Sequence, residues 1–394
     1  MTTRVLLVSS QPIQNAEPLR MMARDPRVEM LTAYCSLPDA KLWRGDENLT
    51  KEAFDIPMLD GYSWEQVRNY SPAARLGKFY GLINPGVMAL VSRYDCCVVY
   101  GHAYVSFWLA ICAAKLLGKP VLLGTDATYI DPHNGGRAWK ASLKKKVLPF
   151  LYNHVADLVL VPSTASKRFI CSLGVKEERV ALTPYVVDND YIASAAARSD
   201  RKKTREEWRI PAGAAVAILC AKFLPRKRPQ DALEAFAQAG VEGSYLVMVG
   251  DGPLGESLKE QAERLGIAER VRFAGMVKYS RLAEFYAASD VLLFPSEHEP
   301  YGLPVNEAMI CGIPAIVSDR VGAGYDLVED GKTGYVYPCG DVAALARILR
   351  AVLPDRLLLK AMGEQARKRL TSWSPRDNAE ATILAVEKAM ANRE

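Results

Sequence analysis

Phe294-Pro295-Ser296-Glu297-His298-Glu299-Pro300-Tyr301-Gly302-Leu303-Pro304-Val305-Asn306-Glu307-Ala308-Met309 is the stretch that decides how this chain of 394 residues is read. The apolar run 291–294 ends as a strand at Phe294, a polar loop holds Glu299, and Pro304 suits the first turn of a helix carrying Glu307. Gly302 allows close backbone approach at the entry to that helix. Free N–H groups at a helix N-terminus favour an anion, so a phosphate fits beside Gly302 and Leu303 with two carboxylates flanking it. Carboxylates repel phosphate but accept hydrogen bonds from hydroxyls, which makes ribose and sugar rings their partners. A nucleotide sugar offers both. Acidic residues near helix starts also serve as simple dipole partners.

Outward from this stretch, short β-branched runs alternate with helical patterns along the whole chain. They fall at 4–8, 96–100, 121–124 and 158–161, then at 217–221, 245–249, 271–274, 291–294 and 315–317. Strands without strict polar alternation, separated by helices, predict parallel sheets covered on both faces, hence an α/β fold of two doubly wound Rossmann-like domains. The break falls at Thr183-Pro184-Tyr185-Val186-Val187-Asp188, giving domains 1–187 and 188–370 and a helical tail, 371–394, interrupted at Trp373-Ser374-Pro375. Ligands of such sheets bind beyond the C-terminal strand ends. Two facing domains would create a cleft there, closing about a hinge at 185–188.

Composition narrows the class. Hydrophobic residues at 49% and charged residues at 24% are ordinary globular values, which excludes disorder and a membrane-embedded chain. About six of the excess positive charges lie before residue 188, too few and too scattered for a nucleic-acid partner but suited to a lipid surface or a phosphorylated acceptor. Eight cysteines without a C-x-x-C pair read as reduced thiols of a cytoplasmic protein. No apolar run is long enough for a signal peptide or a membrane span.

Other loops after strands carry further candidates. Lys222 and Lys227 follow the first strand of the second half, and two ammonium groups five residues apart can neutralise a diphosphate. A solvated basic loop is the plain alternative. Gly250-Asp251-Gly252-Pro253-Leu254-Gly255 satisfies G-x-G-x-x-G but closes a second strand, which argues against a dinucleotide fingerprint and for a turn near phosphate or sugar. Of four histidines, His102 alone directly follows a buried strand; His133 lies on a loop able to meet an acceptor. Asp188-Asn189-Asp190 follows the hinge and is not expected to bind metal, since lysines already supply the counter-charge.

With these residues in view, Glu299-Pro-Tyr-Gly-Leu-Pro-Val-Asn-Glu307-Ala-Met-x-Cys-Gly-x-Pro resembles the E-x7-E signature of family 4 retaining glycosyltransferases, which have the GT-B fold. Gly250-Asp-Gly-Pro matches the family's glycine turn, and Val271-Arg-Phe-Ala-Gly-Met its strand before the base-binding loop. The likeness is close from residue 217 to 340 and fainter in the first half, where it rests on Tyr100-Gly101-His102, Val161-Pro-Ser163 and the 183–188 stretch. The resemblance implies that Glu307 holds ribose hydroxyls and Glu299 a hydroxyl of the transferred sugar. It implies Lys222, Lys227, Gly250, Gly252, Tyr301, Gly302 and Leu303 around the diphosphate and sugar, and Val277 and Lys278 at the base. His102, Glu299 and Lys227 form the implied catalytic set, and the final helix is implied to cross back to the first domain. Two departures stand out: Ser9-Ser-Gln11-Pro-Ile-Gln14-Asn15 replaces a glycine-rich loop, making Gln11, Gln14, Asn15 and His133 the acceptor-side candidates, and Lys222 replaces an arginine, losing its bidentate fork.

The expectation is a retaining, metal-independent hexosyltransferase. It would use a nucleoside-diphosphate sugar, UDP-linked in preference to GDP-mannose, and an acceptor hydroxyl of a glycan, glycolipid or small metabolite, with no cofactor. A nucleotide-sugar epimerase or hydrolase on the same fold is the alternative. Arg137, Lys140, Lys144, Lys145 and Lys146, interleaved with Leu143, Val147, Leu148, Phe150 and Leu151, form a basic helical segment able to lie on an anionic membrane, or simply an amphipathic helix with its lysines in water.

Overall fold

The computed structural model describes residues 2–12, 16–37, 55–129 and 138–393, without the side chains of 138–141. The chain divides into two compact units, one from the described residues of Met1–Lys51, Pro57–Tyr185 and Pro375–Glu394, the other from those of Glu52–Ile56 and Val186–Ser374.

The first unit holds seven strands: β1 (Thr3–Ser9), β2 (Val28–Tyr34), β3 (Trp64–Gln66), β4 (Cys96–Tyr100), β5 (Val121–Gly124), β6 (Leu158–Val161) and β7 (Val180–Leu182). They pair in parallel in the order β3-β2-β1-β4-β5-β6-β7, with Val5 opposite Met30 on one side and Cys96 on the other. Central strands reading VLLV and CCVV are buried on both faces, as a doubly covered parallel sheet requires. The helix Pro375–Ala391 belongs to this unit: Ile383, Val386 and Ala389 share a core with Val5, Leu7, Val98, Leu122 and Leu160. Arg27 ties the helix down, donating to Glu380 at 2.6 Å.

The second unit holds β8 (Ala215–Cys220), β9 (Ser244–Val249), β10 (Val271–Gly275), β11 (Val291–Phe294), β12 (Ala315–Ser318) and β13 (Gly334–Tyr337), parallel in the order β10-β9-β8-β11-β12-β13. Strand order reverses beside β8, next to β11, and the loops after these two strands therefore diverge to opposite faces at a topological switch point. Asp188, at the start of the metal-like Asp-Asn-Asp triplet, caps the helix Asn189–Arg198 by accepting from the Tyr191 N–H at 2.9 Å. Among the described residues no helix is long and apolar enough to cross a membrane.

Candidate functional site

β11 delivers the buried Phe294 to its C-terminal end, and the chain re-enters a helix at Gly302. Gly302 has φ 109°, and a Cβ there would lie 3.1 Å from both Phe294 and Val321, so conformation and space both demand glycine. The helix Leu303–Ile310 is buried from Val305 onward, which places Glu307 inside the unit, 5% exposed. The Tyr286 hydroxyl donates to Glu307 Oε2 at 2.8 Å, the one hydrogen bond this carboxylate receives among the described residues. Burial pushes the Glu307 carboxyl up to about 7, against the opposing pull of Tyr286. Its neighbours Cys220, Tyr279 and Cys311 are groups whose own ionisation burial suppresses, and among the described residues no cation forms an ion pair with the carboxylate.

After β8 the chain runs through Ala221–Leu224 into the tight turn Pro225–Lys227, and Arg228 takes the left-handed conformation at φ 47°. This loop is clamped to the glycine turn after β9: Phe223 N–H donates to Asp251 at 2.8 Å, and Leu254 N–H to Phe223 at 3.2 Å. A Cβ on Gly250 would stand 1.9 Å from the Ala221 carbonyl oxygen, and one on Gly252 2.7 Å from that of Phe223. The two glycines thus let the lysine loop lie against the turn. On its other side the loop meets the β11 loop, where Glu297 N–H donates to the Arg226 carbonyl at 2.9 Å. Lys227 forms a close ion pair with Glu299, the two side chains 12% and 14% exposed, and its ammonium sits 5.5 Å from the centre of the Phe294 ring. Burial first, then the positive charges of Arg226 and Lys222, push the Lys227 ammonium down to about 7, and the Glu299 carboxylate provides the opposing charge.

The structure therefore gathers Lys222, Lys227, Gly250, Gly252, Glu299, Gly302, Leu303 and Glu307 at the C-terminal ends of β8, β9 and β11. Val277 is half-buried and Lys278 exposed, immediately before the helix Tyr279–Ala287. The Tyr301 side chain is buried, and its hydroxyl accepts from the Trp373 indole N–H at 2.6 Å, so the ring is anchored at the end of the second unit. In the first unit, half-buried His102 follows β4 with its Nδ1 3.5 Å from the Tyr152 hydroxyl; burial, with Lys144 second, lowers its pKa. Gln11 follows β1, and its buried Oε1 has no hydrogen-bond partner among the described residues. Gln14, Asn15 and His133 lie outside the described residues. In the helix Ala138–Phe150, Lys144, Lys145 and Lys146 are exposed together with Leu143 and Phe150, while Leu148 is buried. Sequence reasoning missed Tyr286 and Cys220, which line Glu307: neither belongs to a motif, and only the packing of the Tyr279–Ala287 helix brings the phenol to the carboxylate.

Residues 200–369 match the family model described as Glycosyl transferases group 1, and residues 57–191 that described as Glycosyltransferase Family 4. Over 172 residues the chain is 36% identical to the N-acetyl-alpha-D-glucosaminyl L-malate synthase of Bacillus anthracis, covering 43% of this chain and 44% of that protein. Over 201 residues it is 32% identical to the D-inositol 3-phosphate glycosyltransferase of Streptomyces avermitilis, covering 48% and 43%. The chain spans about half the length of the curated relatives it matches. Its fold is similar to that of Anabaena HepE, solved in complex with UDP and glucose, with a TM-score of 0.70 at 20% identity, covering 98% of this chain and 100% of that one. With the two models matched in succession along a chain of two parallel Rossmann-like sheets, the protein belongs to glycosyltransferase family 4 and has the GT-B fold.

Proposed function

We propose that the chain transfers a hexose-type sugar from a nucleoside-diphosphate sugar to an acceptor hydroxyl of a glycan, glycolipid or small metabolite, with retention of anomeric configuration. The observation that carries this reading is the largely buried Lys227–Glu299 ion pair in the same unit as the buried carboxylate of Glu307. A diphosphate arriving at the lysine loop takes Lys227 and Lys222 as counter-charges and releases Glu299 to a sugar hydroxyl, while Glu307 accepts from the ribose. The acceptor oxygen bonds to the anomeric carbon on the face from which the diphosphate departs, and the leaving phosphate oxygen takes the acceptor's proton. The chain's part is electrostatic: lysines and the N–H groups at Leu303 absorb charge as the sugar becomes oxocarbenium-like. His102, half-buried and with its pKa lowered, suits a hydrogen bond to a sugar hydroxyl or phosphate.

UDP is the favoured nucleotide, a choice supported by the UDP in the HepE structure. Relatives named for L-malate and D-inositol 3-phosphate support a small hydroxylated acceptor. The lysine pair replaces a metal, and the basic helix with Lys144, Lys145 and Lys146 contributes contact with an anionic membrane. Incubation with UDP-, GDP-, ADP- and dTDP-sugars in EDTA, with L-malate, inositol phosphate and glycan acceptors, tests the reading. Glycoside formation with an unchanged anomer is expected; an epimerised donor or free sugar alone, or activity restored only by Mg²⁺, overturns it.

A further inference from the structure

A closed loop of the first unit, residues 68–83, projects a group of apolar and cationic side chains, none of them among the candidate site residues. Its ends meet where Tyr70 N–H donates to the Ile83 carbonyl at 2.8 Å. Asn69 knits the interior: its amide donates to the Gly81 carbonyl at 3.0 Å, and its oxygen accepts from Ser71 N–H and Ile83 N–H at 3.0 and 2.9 Å. The Ser71 hydroxyl donates to the Tyr80 carbonyl at 2.6 Å, and the Tyr104 hydroxyl accepts from Gly77 N–H at 3.0 Å. Gly81 is obligatory, since a Cβ there would lie 1.8 Å from the Arg75 carbonyl oxygen.

This well-tied loop turns its large apolar side chains outward: Tyr70, Phe79 and Tyr80 are 59%, 52% and 58% exposed. Met88, on the helix that follows, is exposed as well. Arg68, Arg75 and Lys78 stand among them, and no Asp or Glu occurs from residue 66 to 94. Arg68 covers the Tyr70 ring at 4.9 Å, while Arg75 and Lys78 have no carboxylate partner among the described residues. A cavity of about 320 Å³ opens beside the loop, and Arg68 is the one charged residue in its lining of Val67, Arg68, Tyr70, Pro85 and Gly86.

We propose that this loop docks the first unit onto an anionic lipid surface. Exposed aromatics between cations match an interface whose headgroups are negative and whose interior is apolar. A soluble anionic glycan fits less well, because the loop's own amide and serine hydroxyl, Asn69 and Ser71, are consumed internally and one face of Tyr70 is covered by Arg68. The inference stands apart from the basic helix of residues 138–150 and does not depend on the transfer reaction.

Sedimentation of the full chain with phosphatidylcholine vesicles, neutral or containing about 30% phosphatidylglycerol, at about 0.05 M salt tests it. Arg75→Glu with Lys78→Glu should lower partitioning onto anionic vesicles at least about 30-fold, from about fivefold for each cation removed. Phe79→Ser with Tyr80→Ser should lower it on both salt-poor and salt-rich vesicles, and unchanged melting and UDP affinity show that the fold is intact. Equal binding to neutral and anionic vesicles, loop variants that bind like the wild type while Lys144→Glu with Lys145→Glu abolishes binding, or a concentration-dependent dimer lost on Phe79→Ser would each overturn the proposal.

Discussion

Glu307 and Glu299 are eight positions apart in one motif, yet they sit in opposite electrostatic settings. Glu307 receives a single hydrogen bond from a phenol and has a carboxyl raised to about 7, whereas Glu299 lies against a lysine. In its proposed role Glu307 accepts from a ribose hydroxyl as the carboxylate, so affinity for free UDP should fall as pH drops through about 7 and Glu307 takes a proton. Glu307→Gln, weaker throughout, should lack that limb; the titration of the ligand's own phosphate is common to both proteins and cancels in their ratio by calorimetry. The same raised pKa means the folded state holds this proton more tightly, so the group favours the fold below 4.5 and loses that contribution as pH rises through about 7. The motif alone suggests that Glu299→Ala spares nucleotide binding and slows only the sugar's transfer. The ion pair revises this: without Glu299 the buried Lys227 ammonium loses its partner, its pKa falls further, and UDP affinity should weaken on the alkaline side. The slowing should persist as well, by roughly 10- to 150-fold in single-turnover rate for a lost charged hydrogen bond of about 1.5–3 kcal/mol. Unchanged UDP affinity for Glu299→Ala from about pH 6 to 9 would show that the pair does not govern Lys227. Residue types and spacing were legible here because carboxylates and lysines advertise their chemistry; Tyr286 was not, because an apolar helix position and a buried hydrogen-bond donor look alike in one dimension.

At the scale of elements, the site is an arrangement of three loops held together by glycines. A Cβ at Gly250 would stand 1.9 Å from a carbonyl oxygen on the loop that carries Lys222, so Gly250→Ala must part the two loops. It should destabilise the chain by about 1–3 kcal/mol and lower UDP affinity at the same time. Gly213→Ala, where nothing stands within 4 Å, should do neither. Urea unfolding beside calorimetry reads both, and equal behaviour of the two variants would deny the clamp. The sequence shows Gly250 and Gly252 as a turn near phosphate or sugar but not why glycine is required, because the backbone they admit belongs to Ala221 and Phe223, distant in the chain. Strand recognition divides on the same ground. Buried runs such as Val121–Gly124 and Val291–Phe294 announce themselves, whereas β2 mixes Glu29 and Thr32 into its pattern, β3 is three exposed residues, and β7 and β13 are short edge strands. Edge strands bury less, and so carry less of the apolar pattern that makes the central ones readable.

For the molecule as a whole, the chain folds as two units, and its last helix serves the first of them. Ile383, 1% exposed, packs into the core built on Val5, Leu7 and Leu160, so Ile383→Ala should cost about 2–5 kcal/mol in urea unfolding. A cost near zero would place the helix outside that core. The break after Tyr185 could be anticipated from a Pro-containing stretch between two patterned halves. The anchoring of Tyr301 belongs to this scale too, since its partner Trp373 lies where the second unit's chain ends, and only the folded molecule brings the two together. The central claim is that the second unit holds a nucleoside diphosphate through Glu307 and the lysine loop without metal. The most direct test is the thermal stabilisation of the wild type and of Glu307→Ala by UDP in EDTA. The account predicts that UDP at about 100 times its wild-type Kd stabilises the wild type by about 2.7 kcal/mol and the variant by at most about 1.5 kcal/mol; equal stabilisation of both proteins, or none of either, would contradict it.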